Sequence, residues 1–172
     1  DVGLLALGQD YSYAGENLAV LGRDDEAVAS RGREVRLYDR LVEAAGAHEL
    51  AEARRIWAGY FLASIDVDRG ELKAARQLLA ALDASVRKQL SLSEDDTRLR
   101  ETLVAVLRER TVVEAALGER QRALELANAA CEASGSLAAM DADNLLWQSY
   151  HAGALTTRAR LRAEGARPWP DA

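Results

Sequence analysis

The residues best suited to bond chemistry are two histidines, His48 and His151, and one cysteine, Cys131. A helix-borne metal site needs His-x-x-x-His or Glu-x-x-His spacing, which brings two ligands to one face. Neither histidine has it: His48 falls in a loop between helical runs, and His151 sits beside Tyr150 within one. Cys131 lies on an apolar helix face with no basic neighbour in sequence, so it reads as a core thiol and not as an activated nucleophile. The acidic clusters Asp24–Glu26, Asp66/Asp68/Glu71 and Glu94–Asp96 all fall at turns. Helix capping and solvation explain them, whereas a calcium loop needs alternating oxygen ligands over a longer stretch. The glycines are singletons and make no phosphate-cradling loop. No catalytic residue, metal or cofactor is expected, which leaves surface as the carrier of function.

The composition says what kind of surface. Of 172 residues, 49% are apolar but only 5% aromatic, and alanine supplies much of the apolar count. Alanine favours helix and lets helices approach closely. The only prolines are Pro168 and Pro170, so residues 1–167 hold no helix breaker and an all-α fold is expected. A net charge of −6 disfavours a nucleic-acid partner. No apolar run approaches the roughly 20 residues that span a bilayer, and no basic-then-apolar leader opens the chain. The single cysteine makes a reducing cytoplasm the default expectation. The chain opens on Asp1 and not Met, which suggests a piece of a longer protein.

Apolar residues at three- and four-residue spacing predict seven helices. They cover about 2–21, 24–45, 49–69, 71–90, 95–117, 119–133 and 141–165. Gly46 is expected to cap the second, Ser134-Gly135-Ser136 to end the sixth, and Pro168-Trp169-Pro170 to prevent an eighth. Ser93 and Asp96 are spaced like a capping box ahead of the fifth.

A Gly-x-x-x-x-Ala unit recurs as Gly22…Ala27, Gly70…Ala75 and Gly118…Ala123, each 48 residues from the last. Gly165 follows 47 residues after Gly118, without its alanine. Fixed period with fixed small residues is the mark of a stacked repeat. These turns, with Leu4-x-x-Leu7-Gly8-x-x-Tyr11 and, more loosely, Trp147-x-x-Tyr150-His151-x-x-Ala154, resemble the tetratricopeptide repeat. The standard repeat has about 34 residues. The excess of 14 here is close to four helical turns, which lengthens both helices without turning their apolar faces away. Asp141-Ala142-Asp143-Asn144-Leu145-Leu146-Trp147-Gln148 is similar to an Asp-Pro-Asp-Asn-x-x-Trp-Gln element of degenerate 48-residue arrays found in multidomain bacterial signalling proteins. Asp95–Arg100 is a worn copy of it, and Ala47–Glu52 a fainter one. HEAT and armadillo repeats, with periods of about 40–47 residues, stay open as alternatives.

The resemblance implies an α-solenoid of three helix pairs (about 1–46, 47–93 and 94–136), a capping helix (about 141–165) and a tail (166–172), forming one domain. Arg158, Arg160, Arg162 and Arg167 would give the cap its polar cover. It also implies a groove lined by Gln9, Ser12 and Glu16; by Trp57, Tyr60 and Ser64; and by Ala105, Arg108 and Val112. Trp57 and Tyr60 are either partner anchors or inter-repeat packing, and Arg108 either meets an acidic group or is simply solvated. The expected function is a non-catalytic scaffold binding a protein or peptide segment. A ligand-responsive sensor driving an attached effector is the alternative, and self-association through the apolar ends or Trp169 stays open.

Overall fold

The computed structural model describes residues 2–45 and 49–166. Gly46, Ala47, His48, Arg167 and the Pro168-Trp169-Pro170 stop lie outside them. The described chain forms seven α-helices: α1 (Val2–Val20), α2 (Asp24–Ala45), α3 (Glu49–Asp68), α4 (Leu72–Leu90), α5 (Thr97–Ala116), α6 (Arg120–Met140) and α7 (Leu145–Ala166). No strand occurs among the described residues, and no described helix is long and apolar enough to cross a membrane. The chain divides into two compact units, Asp1–Ser85 and Val86–Ala172, with the boundary inside α4.

The three recurring turns are one structure made three times. Gly22, Gly70 and Gly118 take φ of 69°, 77° and 79°, a left-handed conformation that a Cβ disfavours. Each glycine N–H bonds the carbonyl three residues back: Ala19 at 3.0 Å, Val67 at 3.0 Å and Ala115 at 3.1 Å. The next residue bonds the carbonyl five back: Arg23 to Leu18 at 2.9 Å, Glu71 to Asp66 at 2.8 Å and Glu119 to Glu114 at 2.9 Å. This double bond pattern satisfies carbonyls that a helix end otherwise leaves orphaned. Ala27, Ala75 and Ala123 then sit fully buried one turn into the following helix.

In the first unit α1 and α2 pack antiparallel, and α2 packs in turn on α3. The approach is close because α1 presents glycine where α2 presents bulk: Tyr38 lies over Gly8 and the Arg31 stem over Gly15. Tyr38, Leu41, Ala51 and Ala58 form the core between α2 and α3, edged by Leu5, Val35 and Val42. Arg69 at the end of α3 reaches Asp25 at the start of α2, 2.6 Å away, tying two turns together.

In the second unit α6 packs on both α5 and α7. Leu107, Leu126, Ala130, Cys131 and Ala154 form one cluster, Val104, Leu137, Ala138 and Trp147 a second, and Ala123, Ala127 and Leu161 a third. The sixth helix does not end at residue 133 as the sequence predicts; it runs on to Met140. Ser134 stays helical because its hydroxyl donates to Ala130 O at 2.6 Å, and Gly135 gives room to the His151 ring, which an added Cβ would meet at 3.1 Å. Ser134 and Gly135 are a packing surface for α7, and Ser136 is exposed. Asp96 acts alone as the N-cap of α5, accepting from Arg98 N at 2.9 Å and Leu99 N at 3.1 Å.

Candidate functional site

The first unit gathers a charged network and an aromatic cluster at one place. Arg31 on α2 is 2% exposed. Its Nη1 donates to Ser12 Oγ at 2.7 Å and Glu34 Oε2 at 2.8 Å, and its Nη2 to Glu16 Oε1 at 3.0 Å. A guanidinium suits this because its planar fork serves several acceptors at once. Its face lies against Phe61 of α3, 4.6 Å from the ring centre, a cation–π arrangement. Burial pushes the Glu34 carboxyl above its ordinary range, while the bond and charge of Arg31 pull it down. Ser30, next to Arg31, donates to Tyr11 O at 2.9 Å.

Phe61 links this network to an exposed aromatic group. Trp57, Tyr60 and Phe61 form a closed triangle, with centroid separations of 5.8 Å (Trp57–Tyr60), 5.9 Å (Trp57–Phe61) and 5.8 Å (Tyr60–Phe61). Two of the pairs meet edge to face, the geometry that aromatic quadrupoles prefer. Trp57 is 38% and Phe61 37% exposed, and Tyr60 is half-buried. The triangle therefore offers apolar surface to solvent from a base fixed by buried hydrogen bonds.

The residues expected in a groove are placed as follows. Ser12 and Glu16 are both held by Arg31, and Gln9 donates to Tyr13 Oη at 3.0 Å. Ser64 donates back to Tyr60 O at 3.2 Å. In the second unit Val112 is exposed, Ala105 half-buried, and Arg108 exposed with its guanidinium 6.0 Å from the centre of the Tyr150 ring. The structure brings Ser12 and Glu16 to one arginine, and Trp57 and Tyr60 to one cluster. It also adds three residues that the sequence reading left out of the site: Arg31, Glu34 and Phe61. The repeat period holds the missed signal. One period on, Arg31 and Glu34 correspond to Leu79 and Leu82, and two periods on to Ala127 and Ala130. All of these are buried, so a charged pair at those places had to be an interior one.

The residues weighed for bond chemistry sit elsewhere. Cys131 is buried, and burial raises its thiol pKa against the opposing charges of Arg158 and Arg162, which keeps it protonated. His151 Nδ1 lies 3.2 Å from Ser134 Oγ. The same Oγ lies 2.6 Å from Ala130 O and 3.3 Å from Cys131 O, so the hydroxyl is engaged by the backbone of its own helix. Among the described residues no three His, Cys, Asp or Glu side chains are grouped to hold a metal ion.

Compared with protein-family models, curated proteins and solved structures, the sequence has no match.

Proposed function

We propose that this chain is a non-catalytic protein-interaction module of elongated tetratricopeptide-like repeats, which docks a partner segment over Trp57, Tyr60 and Phe61. The observation that carries the reading is the aromatic triangle itself: Trp57 and Phe61 are left more than a third exposed, yet Phe61 rests on the buried Arg31. Rigid aromatic surface of this kind supplies most of the energy in protein interfaces, because little side-chain entropy is lost on binding. A solenoid arrangement is supported by three superimposable glycine turns at one period and by contacts between consecutive helices in each unit. A role within a cytoplasmic bacterial signalling protein follows from the resemblance of the 48-residue repeat and its Asp-x-Asp-Asn-x-x-Trp-Gln element.

The test is quantitative capture of partners by the intact chain and by Trp57→Ala, Tyr60→Ala and Phe61→Ala, with Arg122→Ala as an exposed control. A partner that docks on the triangle is lost by about tenfold or more with the aromatic variants and retained with the control. Equal recovery throughout removes the site. A second reading, a sensor, draws support from Arg31 bonding α1 while stacking on α3, since displacement of Phe61 would be felt at Ser12 and Glu16. It requires a change in compactness by X-ray scattering on partner binding, where a scaffold keeps its shape.

A further inference from the structure

On the first helix of each pair, three positions face the second helix. Stepping by the repeat, they are Gly8, Ile56 and Val104; Tyr11, Gly59 and Leu107; and Gly15, Ala63 and Thr111. All nine are buried except Tyr11, which is half-buried. The following helix covers four of them: Tyr38 lies on Gly8, Arg31 on Gly15, Leu82 on Gly59, and Leu126 with Ala130 on Leu107. The next step of the repeat lands on Ala152, Leu155 and Ala159 of α7. These three are exposed, Leu155 at 37%, while Trp147, Ala154 and Leu161 on the other side of α7 pack into the second unit. Leu145, 82% exposed, and Ala163, also exposed, extend the open stripe at helical spacing.

Charge flanks the stripe. Arg160 and Arg162 are both exposed. At 3.6 residues per turn they stand about 80° to either side of Ala152. The stretch 145–164 holds three arginines and one glutamate in a chain of net charge −6.

We propose that this face of α7 docks one amphipathic helix of a partner protein that reproduces the pattern of α2, α4 and α6. That pattern places small or apolar residues at i, i+4, i+7 and i+11, as Ala75, Leu79, Leu82 and Val86 do, all buried. Carboxylates on its flanks would meet Arg160 and Arg162. A second copy of the chain does not offer such a helix, because α2, α4 and α6 already bury that face.

The probe is a fluorescein-labelled synthetic peptide with the sequence of residues 71–90 carrying Arg76→Glu, Ser85→Glu and Arg87→Glu, titrated with the intact chain and followed by anisotropy. It keeps the apolar register and surrounds it with carboxylates. Saturable binding is expected, at least tenfold tighter than for the unaltered 71–90 peptide. The double variant Ala152→Glu/Ala159→Glu, at exposed positions and checked for helicity by circular dichroism, is expected to lose at least tenfold. Arg160→Glu/Arg162→Glu is expected to reverse the preference between the two peptides. Absence of binding at about 1 mM peptide overturns the proposal. So does binding that the Ala152 and Ala159 changes leave unaltered, since the peptide would then be displacing α4 or sitting elsewhere.

Discussion

The Arg31 guanidinium lies 4.6 Å from the centre of the Phe61 ring, so a nearly inaccessible charge supports a side chain that is more than a third exposed. The charge is held on its other sides by Glu34, Glu16 and Ser12. Burying an ion pair is costly, and removing one partner is worse than removing both, because an uncompensated charge remains. The second repeat shows what the same positions look like without charge: Leu79 and Leu82. Arg31→Leu alone is therefore expected to destabilise by about 3–5 kcal/mol. Arg31→Leu/Glu34→Leu, which installs the second repeat's pair, should recover most of that loss. Urea unfolding of the two variants decides it. If the double variant is no more stable than the single one, the pair is not a charged substitute for a leucine pair.

The same network sets a pH dependence. Burial is the leading cause that raises Glu34, and likewise Asp39 and Asp66, above ordinary carboxyl values. A raised folded pKa means that the folded state holds its proton where the unfolded chain has released it. The stability from this source is complete below the unfolded pKa and is lost as pH rises through the folded one. Wild-type stability relative to Glu34→Gln should accordingly fall as pH rises through the range above about 4, the ordinary carboxyl value. Urea midpoints across that range measure it, and a relative stability that climbs with pH would show Glu34 to be stabilised as the anion.

The glycine turns were legible because one residue type answers one backbone need, and the need recurred every 48 residues at Gly22, Gly70 and Gly118. Ser134-Gly135-Ser136 misled because serine and glycine mark helix ends and also tight helix contacts. Only the back-bond of Ser134 to Ala130 and the His151 ring over Gly135 distinguish the two. Trp57 and Tyr60 stood out by type, and both fall in the aromatic triangle. Arg31 and Glu34 were hidden in Arg-Gly-Arg-Glu-Val-Arg, a run whose charges read as solvated unless the repeat is laid over it. Phe61 was visible as an aromatic of α3, but its place at the site depends on the arginine beneath it.

The turns give a prediction free of packing. An ideal Cβ built at Gly22, Gly70 or Gly118 meets nothing within 4 Å, so the cost of a side chain there is conformational alone. Gly→Ala at each should cost about 1–2 kcal/mol, and Gly→Asn less, because asparagine tolerates the left-handed region. Thermal unfolding of the six variants checks both statements. Unequal losses at the three alanine variants would mean that the turns are not equivalent.

Asp96 and Asn144, one period apart, do the same work at the starts of α5 and α7. Asp96 Oδ1 accepts from Leu99 N at 3.1 Å, and Asn144 Oδ1 from Trp147 N at 3.2 Å. Four residues on, Arg100 Nε donates to Glu94 O at 3.0 Å, and Gln148 Nε2 to Ala142 O at 3.5 Å and Ala138 O at 3.2 Å. Asp96→Ala and Asn144→Ala should each cost about 1 kcal/mol, as lost N-caps do. What α7 adds is Trp147, whose Nε1 donates to Glu101 Oε1 at 2.5 Å, where α5 has only Leu99. A hydrogen bond to a charged group is worth about 1.5–3 kcal/mol, so Trp147→Phe should exceed either cap loss although it keeps a ring in the core. A double-mutant cycle with Glu101→Gln isolates the bond: a coupling near zero would assign the role of Trp147 to packing alone.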